Sequence, residues 1–359
     1  MGAVVALVAV LMVLLSGLSV GLVNDGVSGL KRLPVTSIAF QEGIKTDSAF
    51  TRSIVDTSAV ETWAEQPNVA EAAPFGLSLV NTRSAEGVDI DLALLGVESG
   101  SYLEPTVAEG RAATAPGEVV VSPTAIDEGL SIGDKLVLKP TETELTVVGV
   151  LGEQNTFGHV DIGYLPLSTW QEVHAGLRPG DPVPDRVYEE ITAVGVQAED
   201  GKTVDLAAGD KAAGTTSMTL EESFGASPGY TAETSTLSLI QAFLYAISAL
   251  VVGAFFTVIT IQRKPEIAVL RALGASTWYL VRDALVQSAI LLIVSAGIGV
   301  AVGVAAGAAI SSTAMPFALE AGPIAAATAL LLFLGMAGAG AAVLRITRVD
   351  PLTALGGNR

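Results

Sequence analysis

The stretch LSLIQAFLYAISALVVGAFFTVITI, Leu237 to Ile261, decides the architecture: it runs 25 residues without a charge. A helix needs roughly 20 apolar residues to cross a bilayer core of about 30 Å, so this segment spans a membrane. Working outward, three more segments qualify. One opens the chain from Ala3 to Val23, another runs from about Leu285 to Ile310, and the last from about Ile324 to Leu344. The spans are dealt out unevenly, one at the start and three in the last third. Half of the 359 residues are apolar although the formal charge is −18.

That charge is concentrated between the first and second spans. Residues 24–236 hold 33 of the 37 acidic and 12 of the 19 basic residues, a net charge of −21. The remaining cations fix the orientation. Arg263, Lys264, Arg271 and Arg282 crowd the link between the second and third spans, and Arg345, Arg348 and Arg359 follow the fourth. The positive-inside bias places both segments in the cytoplasm, so the acidic block is extracytoplasmic. The expected division is a first transmembrane helix (1–23), an extracytoplasmic domain (24–236), a second helix (237–261), a cytoplasmic segment (262–282), a third helix (283–310), a fourth (324–344) and a cytoplasmic tail (345–359). The fold class is an α+β membrane protein in which one helix, a large mixed α/β domain and three helices follow in order. The first span lacks a basic start and an evident small-residue cleavage site, so it reads as an anchor and not as a secretion signal. The chain begins inside this span, and a late start or a trimmed N-terminus is expected.

The acidic domain is a poor partner for nucleic acid or anionic lipid. There is no cysteine, which excludes thiol catalysis and leaves an exported core to stand on packing alone. His159 and His174 have no neighbour at metal-ligand spacing and read as surface or core histidines. The sequence contains no phosphate loop, no H-E-x-x-H and no G-x-S-x-G motif, and the chain is expected not to be an enzyme. Within the domain, Glu118–Ser122, Lys135–Lys139 and Glu144–Leu151 predict strands, Pro123–Gly129, Ser53–Gln66 and Leu167–Ala175 predict helices, and Leu206–Tyr230 predicts flexible connections.

Just after the second span, QRKPEIAVLRALGAS (262–276) begins with charge, continues as a short amphipathic helix and reaches Gly274 at a C-cap position. Such a helix lies along the cytoplasmic face, either as an interfacial anchor or as a docking element. With the terminal VDPLTAL (349–355), this stretch resembles the permease subunits of the MacB/FtsX-like group of ABC transporters. GEVVVSPTAIDEGLSIGDKLVL (117–138) and LTVVGV (145–150) resemble their extracytoplasmic core domain. SGLSVGLVNDGVSGL (16–30) is most similar to the haem-exporting, HrtB-type branch. The resemblance implies a homodimer paired with two copies of a cytosolic ABC ATPase subunit that carries ATP and Mg, and no cofactor intrinsic to this chain. It matches Glu266, Ile267, Arg271, Ala272, Leu273 and Gly274 to the ATPase-coupling segment. The family's N-terminal cytoplasmic helix has no match in the sequence, which leaves one expected ATPase contact unaccounted for.

On the second span Ser238, Gln241, Tyr245 and Ser248 share one helical face, and on the first Met12, Ser16 and Ser19 form another. If these faces meet across a dimer they enclose a flat, mainly apolar pocket holding a thioether and a phenol. Haem suits such a place, and Met12 and Tyr245 are the candidate iron ligands within the bilayer. Tyr230 and Tyr164 are candidates near the outer surface, where Arg32 or Lys31 could pair with propionates. Packing alone also explains each of these residues. Gly299, Gly303 and Gly307, four apart, allow close helix approach and are expected to hold the third helix against the fourth or second. The expected function is a permease exporting haem from the membrane. The alternatives are a permease of the same build for lipoprotein, peptide or drug, or an FtsX-like signalling subunit that activates an envelope hydrolase.

Overall fold

The computed structural model describes residues 2–85, 87–263, 265–266, 269–270, 273–313 and 315–347. It divides into two compact units, Met1–Leu22 with Thr234–Arg359, and Val23–Glu233. Among the described residues four helices are long and apolar enough to cross a membrane. They are Gly2–Lys31, Tyr230–Gln262, Thr277–Ile310 and Ala321–Thr347, called here the first to fourth long helices.

Within the helical unit, hydroxyls along the spans return to the carbonyl four residues back. Ser248 donates to Leu244 at 2.6 Å, Ser288 to Ala284 at 2.8 Å and Thr328 to Ile324 at 2.8 Å. No polar hydrogen at these positions then needs a partner from lipid. Glycines set the helix contacts. A Cβ at Gly299 would stand 2.3 Å from the Ala6 carbonyl oxygen, and one at Gly303 would stand 2.8 Å from Val13 Cβ. Gly299 and Gly303 of the third helix therefore seat the first helix, and Gly307 faces Phe317 and Leu319, not the fourth or second helix as the spacing suggested. Spacing marks a face for close approach but not the neighbour that uses it. The second helix approaches the fourth, where a Cβ at Gly338 would lie 3.3 Å from the backbone of Gly253.

The exported unit is built on one mixed sheet. Its strands run in the order Thr215–Thr219, Ser37–Gln41, Ala193–Ala198, Val69–Ser84, Asp89–Val97, Val160–Pro166, Glu118–Val121, Glu144–Leu151 and Val107–Gly110. Asp161–Pro166 lies parallel to Leu92–Val97, and Glu118–Val121 parallel to Glu144–Leu151. Alternate residues feed two cores because a strand turns successive side chains to opposite faces. Phe40, Leu95 and Val120 join one cluster, with Phe50, Phe75, Phe157 and the first-helix residues Val27 and Leu30. Ala39, Leu94 and Val121 join the other, with Trp63 and Trp170. The Trp170 ring lies directly on the sheet, where a Cβ at Gly76 would come within 2.0 Å of it.

Two segments differ from their sequence reading. The helix expected over Ser53–Gln66 is confined to Ser58–Ala64, because Val55–Asp56 pairs with Glu190–Ile191 as a short ribbon. Asp56 then accepts from the Ser58 backbone N–H at 2.9 Å, a local turn just ahead of the helix. Leu206–Tyr230, expected to contain flexible connections, is regular. Helix Leu206–Ala213 is capped by Asp205, strand Thr215–Thr219 follows, and Thr219 with Glu222 forms a capping box. Small residues there are compatible with tight packing, and a Cβ at Gly209 would stand 2.3 Å from the Trp63 ring.

Candidate functional site

The polar faces of the first and second helices meet within a single chain. Met12, Leu15, Ser16, Ser19 and Val20 of the first helix, Gln241, Leu244 and Tyr245 of the second, and Pro323, Ala326, Ala327 and Leu330 of the fourth line one cleft of about 310 Å³. The sequence had joined these faces only across a dimer. Met12 is buried beside this space, and Tyr245 packs half-buried against the same apolar cluster. Of the remaining residues on the second-helix face, Ser248 is closed onto Leu244 and Ser238 is exposed. The cleft thus gathers a thioether, a phenol, a carboxamide and two hydroxyls in otherwise apolar walls, the make-up of a site for a large apolar ligand with a few polar handles.

The outer-surface candidates do not assemble in this way. Tyr164 is 5% exposed, inside the aromatic core of the exported unit. Burial pushes its phenol well above the ordinary tyrosine value, and the crevice it lines with Pro105, Val107 and Ala112 measures about 10 Å³. Tyr230 opens the second helix and packs edge-on against Phe224, ring centroids 6.2 Å apart. Arg32 is engaged by Glu153 at 2.7 Å and by the Gln154 carbonyl, and Lys31 donates to Asn24 at 2.7 Å.

On the cytoplasmic side Arg263 bridges Glu266 at 3.2 Å and donates to Gln287 of the third helix at 2.6 Å. Ile267, Arg271 and Ala272 of the coupling segment, and the terminal 349–355, lie outside the described residues. Gly274 takes the left-handed conformation, φ +93°. Backbone bonds from Leu273 to Val269 and from Ala275 to Leu270 close the turn around it, as a helix C-terminus requires. Val269, Leu270, Leu273, Trp278 and Tyr279 are all exposed, Leu273 at 79%. An apolar patch of this kind belongs to a docking surface or an interface with headgroups.

The histidines acquire partners that spacing along the chain could not reveal. His174 stacks on Trp170 at 4.6 Å and shares a 3.1 Å hydrogen bond with Ser78, and burial pulls its imidazole below the ordinary value. His159 lies between Asp25 and Glu233, 134 and 74 residues away. Separations of that size leave no local pattern to read. Among the described residues no group of three or more His, Cys, Asp or Glu is placed to hold a metal ion.

Comparison with known proteins accords with this arrangement. Residues 1–210 match the MacB-like periplasmic core domain, and residues 238–351 match the FtsX-like permease C-terminal model. A protein of Staphylococcus epidermidis named as the hemin transport system permease HrtB is 22% identical over 356 residues, 99% of this chain and 94% of that protein. Its namesake in Staphylococcus haemolyticus is 21% identical over 361 residues, again 99% of this chain and 94% of that protein. An uncharacterized ABC transporter permease of Mycobacterium tuberculosis is 23% identical over 302 residues, 82% of this chain and 77% of that protein. The extracellular domain of the ABC-type transporter YknZ from Gram-positive bacteria is similar at 16% identity with a TM-score of 0.36, covering 51% of this chain and 98% of that one. With one long apolar helix, an extracytoplasmic α/β domain and three further helices, this multi-pass membrane protein belongs to the MacB/FtsX-type family of ABC transporter permeases.

Proposed function

We propose that the chain is the permease subunit of an efflux transporter that takes haem from the membrane and releases it outward, with ATP hydrolysed on a separate ATPase subunit. The family implies that ATPase. The haem reading draws on the near full-length similarity to HrtB-named permeases, and the observation that carries it is the cleft where Met12 and Tyr245 stand together. Haem is a broad apolar ring whose iron accepts thioether or phenolate ligands, and both ligand types line this one space. At about 310 Å³ the cleft is at the small end of ligand sites. A single chain therefore grips one edge of the ring, and lipid or a second copy of the permease covers the rest.

In this reading the chain works as a homodimer with two ATPases. Substrate enters laterally beside the second helices, and ATPase closure favours the state in which the cleft is shut, a population shift driven by nucleotide. Leu273 and Gly274 present the cytoplasmic surface to the ATPase, with Glu266 at the start of the same segment.

The test is the double variant Met12→Leu with Tyr245→Phe, which keeps volume and removes both ligand atoms. Purified with its ATPase, the wild type is expected to develop a Soret band on haem addition and the variant to lose it, together with haem tolerance in cells. An unchanged band and unchanged tolerance remove both residues from the mechanism. An ATPase stimulated by a lipopeptide or drug but not by haem reassigns the substrate, and loss of cell-wall cleavage without any efflux defect selects a signalling role.

A further inference from the structure

A two-residue hairpin in the exported unit reaches the ends of two long helices at once. Phe157 pairs with Val160, and the residues between them, Gly158 and His159, have φ values of +59° and +67°. Two consecutive left-handed residues define the tight I′ turn that suits a right-handed β-ribbon. His159 is not glycine, so a side chain is held in a backbone region that few side chains adopt. Its ring atoms account for the position. Nδ1 lies 2.8 Å from Asp25 Oδ2, on the first helix, and Nε2 lies 3.1 Å from both carboxylate oxygens of Glu233, in the first turn of the second helix. All three residues belong to the exported unit.

The contact is built on both sides of the ring. The first helix is interrupted at Val27, with φ −143° and ψ 15°. The Gly26 carbonyl accepts from the Gly158 backbone N–H and from the Ser227 hydroxyl, both at 2.9 Å. Ser28 meets Thr156 on the adjoining strand, hydroxyl to hydroxyl at 2.7 Å and to its backbone N–H at 2.9 Å. Phe157 anchors the hairpin by an edge-on contact with Phe50 in the core, centroids 5.2 Å apart. The hairpin tip thus makes contacts to the first helix, the Ser227 turn and the second helix.

We propose that His159 is a positioning residue of the transport cycle: as a doubly donating imidazolium it clasps the exported ends of the first and second long helices to the hairpin, and exterior pH sets how firmly they are held. The inference rests on the permease reading. Only the protonated ring can donate to both carboxylates; a neutral ring donates to one and turns a lone pair toward the other. Burial alone would lower the imidazole's value, but the hydrogen bond the ring donates to Asp25 and the charge of Glu233 outweigh it, and the net shift is upward. The other charged group close by is Asp161, on the hairpin's second strand. Burial raises its carboxyl to about 6, and Glu128, Asp25 and Asp127 add to the effect. Above neutral pH it is ionised and adds negative charge beside Asp25. The clasp is therefore complete at and below the ordinary histidine value and is lost as pH rises through the higher folded value.

The experiment uses the full chain with its ATPase in nanodiscs. Hydrogen exchange over residues 23–31 and 227–233, corrected for intrinsic rates, is followed from pH 6 to pH 9 beside haem-stimulated ATPase activity. In the wild type, protection of both segments and stimulation are expected to fall together by roughly fivefold or more toward pH 9, the lower edge of ordinary site-to-site couplings. His159→Lys, charged throughout, should flatten the profile; His159→Gln should lack protection at every pH. Glu233→Gln leaves the hairpin intact and, by removing one negative charge, should move the transition to lower pH. A wild-type protection profile independent of pH, or a Glu233→Gln transition that does not move, overturns the proposal. A transition that follows these variants while haem gives no stimulation at any pH keeps the clasp and refutes only the choice of haem.

Discussion

Replacing Asp161 by asparagine should stabilise the exported unit at neutral pH, and the size of the gain follows from the burial of the carboxylate. Asp161 is 9% exposed in strand Val160–Pro166 and accepts a hydrogen bond from the Thr124 hydroxyl at 2.5 Å. Loss of hydration raises its carboxyl to about 6, against the Thr124 hydrogen bond, which lowers it; Glu128, Asp25 and Asp127 raise it further. Because the folded value exceeds the unfolded one, the native state holds this proton more tightly. Stability at this site is full below about pH 4 and declines as pH rises to about 6. The interval from 3.8 to about 6 corresponds to a penalty of ~3 kcal/mol at pH 7, an upper figure that structural relaxation lowers. Asparagine keeps the shape and a bond to Thr124 while removing the charge. Denaturation of the full chain in detergent, followed by tryptophan fluorescence, reports on this unit because Trp63 and Trp170 lie in its core. The variant should exceed the wild type by about 1–3 kcal/mol at pH 7, with the gap closing below about pH 4. Equal stability at both pH values, or a variant weaker at pH 7, would show that the charge is solvated in a way the burial does not indicate.

Gly299→Leu should weaken the helical unit by about 1–3 kcal/mol, because even its Cβ would overlap the Ala6 carbonyl. Gly297→Leu, with nothing within 4 Å of its Cβ, should leave the melting temperature in detergent unchanged; equal loss in both variants would refute the assigned contact. Leu273→Asp should reduce co-purification of the ATPase roughly tenfold, the effect of losing one apolar anchor, without altering the melt, whereas full retention would place the docking surface elsewhere.

The sequence alone sufficed for features set by composition and short-range pattern. Span length and the absence of charge fix four membrane crossings without reference to any contact, since lipid acts on each helix separately. The strands over Glu118–Val121 and Glu144–Leu151 and the left-handed end at Gly274 were legible for a similar reason: local alternation and a single glycine carry them. Long-range pairing decided the rest. Gly299 announced close packing, but only the folded helices chose Ala6 as its neighbour. Met12 and Tyr245 each read as one polar position on a helix, and their meeting in one chain depends on how the first, second and fourth helices pack. Tyr164 read as an outer-surface phenol because alternation along a strand does not reveal that both faces of its sheet are covered. His159 shows the limit most clearly. Its partners are 134 and 74 residues away, and its charge state follows from the field of groups that only tertiary folding brings together.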